Sequence, residues 1–584
     1  MHYVPNLASP GMHSQVDSPS FFNSPSGKRD PRAELEATLR SFFAEAAEGD
    51  DHPQCRFAAR RAWLDAELGF DVQRIPRREC RRYREWRTAI DASQLTLVFA
   101  SAYVNNPGSM YGHTLLRVDA AGQDERTRLL AYTINFAAGT DETSGFVYAL
   151  KGLFGGYPGV FSMLPYYLKV REYSDLENRD LWEYQLDLGR EEIERVLAHT
   201  WELLPIQFDY FFFDENCAYH LLGLLQVARA DLELTAQFPL WALPVDTVRV
   251  LADQPGLVRQ IVYRPSSATI IASRLAVLSP GERNLARDLG LGTQAPADPS
   301  LRSLPAERAA AVVEAGYDYL SYRRRTGESR VPDGGALAHE LLLARNAVDA
   351  PSQAPQVQRG PRPDQGHRTS RFTAGAGQRD GEGFVELGLR PTYHDLLDDD
   401  AGYVGGAQIE FFHLRVRRYE GQDVRIESFI PVGVSSLSPR DDFFQPRSWR
   451  MVAGWQRTFA KSGAEPLAPG VDGGIGGAWA VTRGTRLYAM LEGVVRVHSA
   501  FEDGYTAGGG ALLGALAEPV PSWRIHLYAR QLVSLLGERT DPGALVLEQR
   551  VTLQRDVALR LDLRREREAG KGFGSAALFV QVYF

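Results

Sequence analysis

Two short segments about a hundred residues apart hold the side chains best suited to covalent chemistry. One is NNPGSMYGHTLLRVD, around His113; the other is FFFDENCAYHLLGLL, around Cys217. A thiolate is a strong nucleophile, but at neutral pH it needs help to form. Cys217 follows Asp214, Glu215 and Asn216 at the start of a predicted helix, and Asp214 or Asn216 can cap that helix. Free N–H groups of the first turn and the helix dipole would then favour the thiolate. His113 opens the strand-like run TLLRV and is the candidate base; Gly112 before it permits close approach of another backbone. Asn135, a polar residue inside the apolar run AYTINFAA, is the candidate group to fix the imidazole tautomer. His220 shares a helix face with Cys217 and is the weaker alternative base. Each residue has a plainer reading as well: a buried filler cysteine, a satisfied structural histidine, an outward-facing strand asparagine.

Around this trio, Asn105, Asn106, Ser109, Tyr111 and Asn216 are expected to line the substrate side. Backbone N–H groups of the Asn105–Ser109 turn, with that of Cys217, can form an oxyanion hole. Tyr103, Tyr111, Tyr210 and Phe211 to Phe213 would wall an acyl pocket or fill a core. No His, Cys or carboxylate run has zinc-ligand spacing and no Gly-rich loop cradles phosphate, so neither a metal nor a cofactor is expected.

The elements that must position these residues fall into distinct stretches. The 584 residues are too many for one core, and 44% hydrophobic with 24% charged is ordinary for folded protein. A net charge of -8 argues against a nucleic-acid binder. Residues 1–30 are Ser/Pro/Asn-rich, have no apolar signal-peptide core, and read as disordered. Residues 31–93 read as a helical domain, and 94–265 as an α+β domain with strands, among them QLTLVFASAYV, HTLLRVDA, LLAYTINFAA, YPGVFSMLPYYLKVREY and WEYQLDL. Residues 266–350 read as a helical connector and 351–368 as a Pro/Gln-rich linker. No uncharged apolar run reaches the ~18 residues of a transmembrane helix.

From 369 to 584 strand follows strand. In VALRLDLR, Val557, Leu559, Leu561 and Leu563 take one face, while Arg560, Asp562 and Arg564 take the other. About twelve such runs of roughly ten residues, closing on the aromatic Phe584, favour an antiparallel membrane β-barrel over a soluble sandwich. Three cysteines are present: Cys55 and Cys80 fit a disulfide of an oxidising compartment, with two free buried thiols as the alternative, and Cys217 is left over.

The order His, polar residue on the next strand, then Asn-Cys at a helix start resembles the permuted papain-like NlpC/P60 fold. The longer phrases, with HPQCRFAARRAWL upstream, resemble the Lnb N-terminal periplasmic domain family over about 50–265. That resemblance implies a periplasmic or outer-membrane cysteine enzyme of a Gram-negative bacterium, although no signal peptide is visible at the start. It implies acyl transfer through a Cys217 thioester, with His113 as base, Asn135 orienting it, and a phospholipid or lipoprotein substrate. Membrane association would run through the C-terminal β domain. The competing expectations are a peptidoglycan amidase or cysteine peptidase, and a non-catalytic barrel with a periplasmic binding domain.

Overall fold

The computed structural model describes residues 2–5, 11–44, 49–103, 110–124, 127–140, 142, 151–152, 155–229, 231–327, 334–352, 354–482 and 484–584. The chain divides into two compact units, Met1–Ala272 and Ser273–Phe584.

The first unit is built on a seven-stranded antiparallel sheet. Its strands are β1 (Ala92–Ala100), β2 (His113–Ala120), β3 (Tyr132–Ala138), β4 (Tyr157–Pro165), β5 (Leu181–Leu186), β6 (Gln207–Tyr210) and β7 (Val258–Arg264), in the order β6-β4-β3-β2-β1-β5-β7. Strands β1, β2 and β5 are buried almost throughout, because both faces of the sheet are covered. Helix α4 (Arg190–Leu203), helix α5 (Cys217–Gln226) and helix α6 (Pro244–Asp253) pack on one face. On the other face, Leu115 joins Val98, Ala100, Tyr166, Tyr173 and Leu181 in one apolar cluster.

Ion pairs lock that second face. Arg117, fully buried, donates to Asp119 at 2.7 Å and lies 2.6 Å from Glu183 of β5. Tyr166 donates to the same Glu183 at 2.8 Å. Such a network costs little only when each charge has partners, and removing one would strand the others.

Three expectations need correction here. The segment 1–30, expected to be disordered, packs wherever it is described: Val16 and Phe21 are fully buried, and Gln15 donates to Glu215 at 3.1 Å. A few large apolar residues outweigh its polar composition. The run YPGVFSMLPYYLKVREY is a strand only as far as Pro165; an α-helical turn (Tyr166–Val170) and a π-helical turn (Arg171–Leu176) follow. Finally, α1 (Pro31–Phe42), α2 (Ala58–Leu68) and α3 (Arg81–Ile90) belong to the same compact unit as the sheet. Trp201 of α4 donates to the Cys55 carbonyl at 2.9 Å, and the Arg60 backbone N–H donates to Glu202 at 2.9 Å. A Cys55–Cys80 disulfide closes this helical layer.

In the second unit, α7 (Pro280–Leu291) opens on a Ser279/Glu282 capping box and packs closely on α8 (Ala306–Arg325), where Gly290 and Gly316 face each other. The end of the expected linker belongs to the fold that follows, since Asp364 and His367 are buried. Twelve antiparallel strands then close on themselves. The first, Arg371–Arg379, pairs with the last, Lys571–Tyr583, and with Glu382–Arg390, which in turn pairs with Ala407–Tyr419. Alternation is the inverse of a soluble sandwich. Along Thr485–Val497, Leu487, Leu491 and Val495 point outward while Tyr488, Met490 and Glu492 are buried. Inside, Arg450 and Arg530 meet Glu492, and Arg530 and Arg496 meet Asp472. An apolar exterior around a charged interior, with no open edge, is the architecture of a transmembrane barrel.

Candidate active site

Asn216 and Cys217 are positioned by one capping motif. The Asn216 side-chain oxygen accepts from the N–H groups of Ala218 (3.0 Å) and Tyr219 (3.2 Å), so Asn216, not Asp214, is the cap and Cys217 is the first residue of α5. The Asn216 amide also donates to the carbonyls of Phe212 (3.0 Å) and Ala242 (2.5 Å). Its polar atoms therefore hold the turn and aim Cys217; they do not face outward as a substrate contact would.

The Cys217 thiol is buried and is the free cysteine of the chain. The N–H groups of Thr114 and Ala218 and the Tyr210 hydroxyl lie near the sulfur and favour its anion, while the buried Thr114 hydroxyl makes no hydrogen bond among the described residues. Burial outweighs them and pushes the thiol above its ordinary value. The dipole argument is thus correct in sign and insufficient in size: the resting group is a neutral thiol.

Thr114 lies next to His113, and strand alternation sends the two side chains to opposite faces of β2. The His113 ring lies against Tyr173, 5.5 Å between centroids, on the face away from α5. Burial, with Arg179 and Lys169 nearby, lowers its pKa to about 3, so the resting imidazole is neutral. Among the described residues no hydrogen bond joins Cys217 to His113. Tyr173, buried and presented by the π-helical turn, is close enough to feel the charge on Cys217 as well as to touch His113. Nothing in the sequence distinguished it from the other aromatic residues.

Asn135 shares the His113 face of the sheet, but its amide donates to the Thr133 hydroxyl at 2.9 Å, and its buried carbonyl oxygen has no hydrogen-bond partner among the described residues. It makes no contact with His113 among the described residues. His220 sits in an aromatic box, 4.2 Å from Phe136 and 4.6 Å from Phe208 between ring centroids. Among the described residues neither of its buried ring nitrogens has a hydrogen-bond partner, and burial lowers its pKa to about 3. Tyr111 is buried with its ring 5.9 Å from Phe213. Asn105, Asn106 and Ser109 lie outside the described residues.

Gly112 is required where it stands. Its φ is +94°, and a Cβ there would come within 2.6 Å of the Phe99 ring. The turn before His113 therefore closes only with glycine.

Four family models match successive stretches of the chain. Residues 82–254 match the model of the Lnb N-terminal periplasmic domain. Models described as domains of unknown function match residues 1–67, 261–357 and 360–583. No curated protein matches the chain. Among solved structures, the NanC porin is similar at 9% identity over 36% of this chain and 100% of its own, with a TM-score of 0.25. The KdgM porin in complex with disordered oligogalacturonate is similar at 9% identity over 37% of this chain and 99% of its own, TM-score 0.23. The outer membrane channel DcaP of Acinetobacter baumannii is similar at 10% identity over 39% of this chain and 100% of its own, TM-score 0.20. Cys217, His113 and Tyr173 all lie inside the matched span, and the barrel with its apolar exterior follows it; residues 82–254 are similar to the Lnb N-terminal periplasmic domain, in a chain of the periplasm and outer membrane.

Proposed function

We propose that this protein is a cell-envelope cysteine acyltransferase in which Cys217 carries the acyl group. The observation that carries the reading is the placement of the Cys217 sulfur: at a helix start, facing the donors of Thr114, Ala218 and Tyr210, beside the strand that begins with His113. Those donors suit a thiolate and the oxyanion of a tetrahedral intermediate. The sulfur attacks an ester carbonyl of a phospholipid, forming the S–C bond as the ester C–O bond breaks. The thiol proton passes to neutral His113 and on to the departing alkoxide of the lysophospholipid. An acceptor amine, such as a lipoprotein N-terminus, then attacks the thioester, forming the amide and returning the thiol. His113 must turn toward Cys217 for this, a tightening that resting enzymes commonly leave to the substrate complex.

The missing Cys217–His113 hydrogen bond favours a second reading, a non-catalytic periplasmic binding domain carried by the barrel. Intact-mass analysis of the full chain incubated in phospholipid vesicles separates the two. An acyl-sized adduct that hydroxylamine removes and that Cys217→Ser abolishes is the result expected of the enzyme. No adduct with any diacyl phospholipid overturns it, and release of stem peptides from peptidoglycan would make it an amidase instead.

A further inference from the structure

Far along the chain from Cys217, in the barrel unit, three buried side chains converge that sequence spacing does not announce. His367 precedes the first barrel strand, and His394 and Asp398 lie between the second and third. Their nearest ligand-type atoms all fall within 4.8 Å of one another. The two imidazoles are close to parallel, 9° between planes, with Tyr403 stacked on both at 4.5 and 4.6 Å.

Proton counting around the two rings gives the inference. His367 Nδ1 lies 2.6 Å from the Arg368 carbonyl, an acceptor only, so Nδ1 carries the hydrogen. His394 Nε2 lies 3.2 Å from the Asp400 carboxylate, so Nε2 carries the hydrogen there. In the neutral tautomers, His367 Nε2 and His394 Nδ1 are then both lone pairs, and they face each other at 3.1 Å. Two lone pairs aimed at one point are reconciled by a proton on His394, paired with Asp400, or by a metal ion between the rings. A carboxylate oxygen of Asp398 stands 3.9 Å from His367 Nε2 to supply a third ligand.

We infer that His367, His394 and Asp398 form a binding site for a divalent transition metal, of which zinc is the best match. With metal–nitrogen bonds of ~2.0–2.1 Å, two tetrahedral nitrogen ligands stand about 3.3 Å apart, near the separation seen here. Metal-binding histidines characteristically donate their other N–H to a carbonyl or carboxylate, as Arg368 and Asp400 accept here. Imidazole ligands select zinc, copper or nickel over magnesium and calcium. The same Asp398 oxygen already accepts from Arg390 at 2.7 Å and from the Asp395 N–H at 2.9 Å, and its other oxygen from Arg371 at 3.2 Å, so these donors compete with a metal and the imidazoles carry most of the selectivity. The ion would tie the segment before the first strand to the connection after the second, on the line where the barrel closes.

Metal analysis of the full chain, folded in detergent and dialysed against zinc, tests this. One equivalent of zinc is expected, together with a saturable visible Co(II) spectrum on substitution. Cys217→Ser should retain both, and the double variant His367→Ala/His394→Ala should lose both while keeping the heat-modifiable gel mobility of a folded barrel. Asp400→Asn should weaken binding about tenfold to a hundredfold. Zinc retained by the folded double variant, or lost with Cys217→Ser alone, overturns the site. If the double variant fails to fold, the unsubstituted protein decides: no saturable one-to-one Co(II) band, or a band with thiolate charge-transfer character, overturns it.

Discussion

At the scale of single residues, the site is set by a contest between burial and local donors. Cys217 has the donors that a thiolate needs and still stays protonated, because it is buried. Alkylation of the resting protein by iodoacetamide is therefore expected to rise only at a higher pH than for a free thiol, whose pKa is ~8.5. An acylation rate measured with phospholipid should rise earlier, once His113 has turned to accept the proton. Coincident profiles would mean that His113 does not take part. Glu215 gives a second pH effect, with a sign fixed by linkage. Burial, partly offset by the bond from Gln15, raises its pKa to about 8. The folded state then binds this proton more tightly than the unfolded chain, so stability is lost as pH climbs from about 4.5 to about 8. Glu215→Gln should remove that loss, stabilising the first unit by on the order of 3 kcal/mol at pH 9 and little at pH 4. Urea unfolding followed by Cys217 exposure at the two pH values measures it, and an equal effect at both would contradict the burial argument.

At the scale of elements, the placement of His113 depends on the turn that feeds β2. Gly112→Ala combines a positive φ with a contact on the Phe99 ring, and an expected cost of about 2–3 kcal/mol follows. Gly122, with φ of +77° and nothing within 4 Å of its would-be Cβ, is the control. Gly122→Ala should cost about 1 kcal/mol, the backbone part alone. Equal losses would remove Phe99 from the explanation. Reducing the Cys55–Cys80 bond, which closes 25 residues of sequence separation, should cost about 3 kcal/mol in the same assay. These elements differ in how far the sequence disclosed them. The helix at Cys217 was legible because an Asx-type residue directly before an apolar run has one strong local use, the cap. The strand of His113 was legible from its apolar run. The turn of chain after Pro165 was not: Tyr166 and Tyr173 have strand propensity, and only the buried Glu183 and the neighbouring apolar cluster draw them into helical turns. Asn135 misled for a related reason. An asparagine in an apolar strand signals a buried polar partner, but the partner two residues away, Thr133, cannot be told from one across the sheet. Convergence of His367 and His394 was invisible because the hairpin register that pairs Arg371 with Arg390, not a short sequence spacing, sets them opposite each other.

At the scale of the whole molecule, the outward face of the barrel is the strongest evidence for the compartment. Leu491, 72% exposed at the middle of the strand Thr485–Val497, and Leu535, 73% exposed, would be unfavourable features of a water-soluble surface when surrounded by others like them. In a bilayer they are the match to lipid. Leu491→Arg separates the two settings. On a soluble sandwich an exposed leucine replaced by arginine changes stability by roughly 0.5 kcal/mol or less. At the lipid midplane the same change costs about 2–4 kcal/mol, because the guanidinium loses water and gains no partner. Val497, 53% exposed at the end of the same strand, supplies the depth control. Val497→Arg should cost only about 0–1 kcal/mol, since a side chain near the interface can reach water. Reversible urea unfolding of the full chain in phospholipid vesicles, followed by loss of the heat-modifiable form, measures both. A large penalty at position 491 with a small one at 497 locates the strand in the membrane with its centre at the midplane. Equal small penalties would return the barrel to water, and with it remove the lipid surface at which the proposed acyl donor is met.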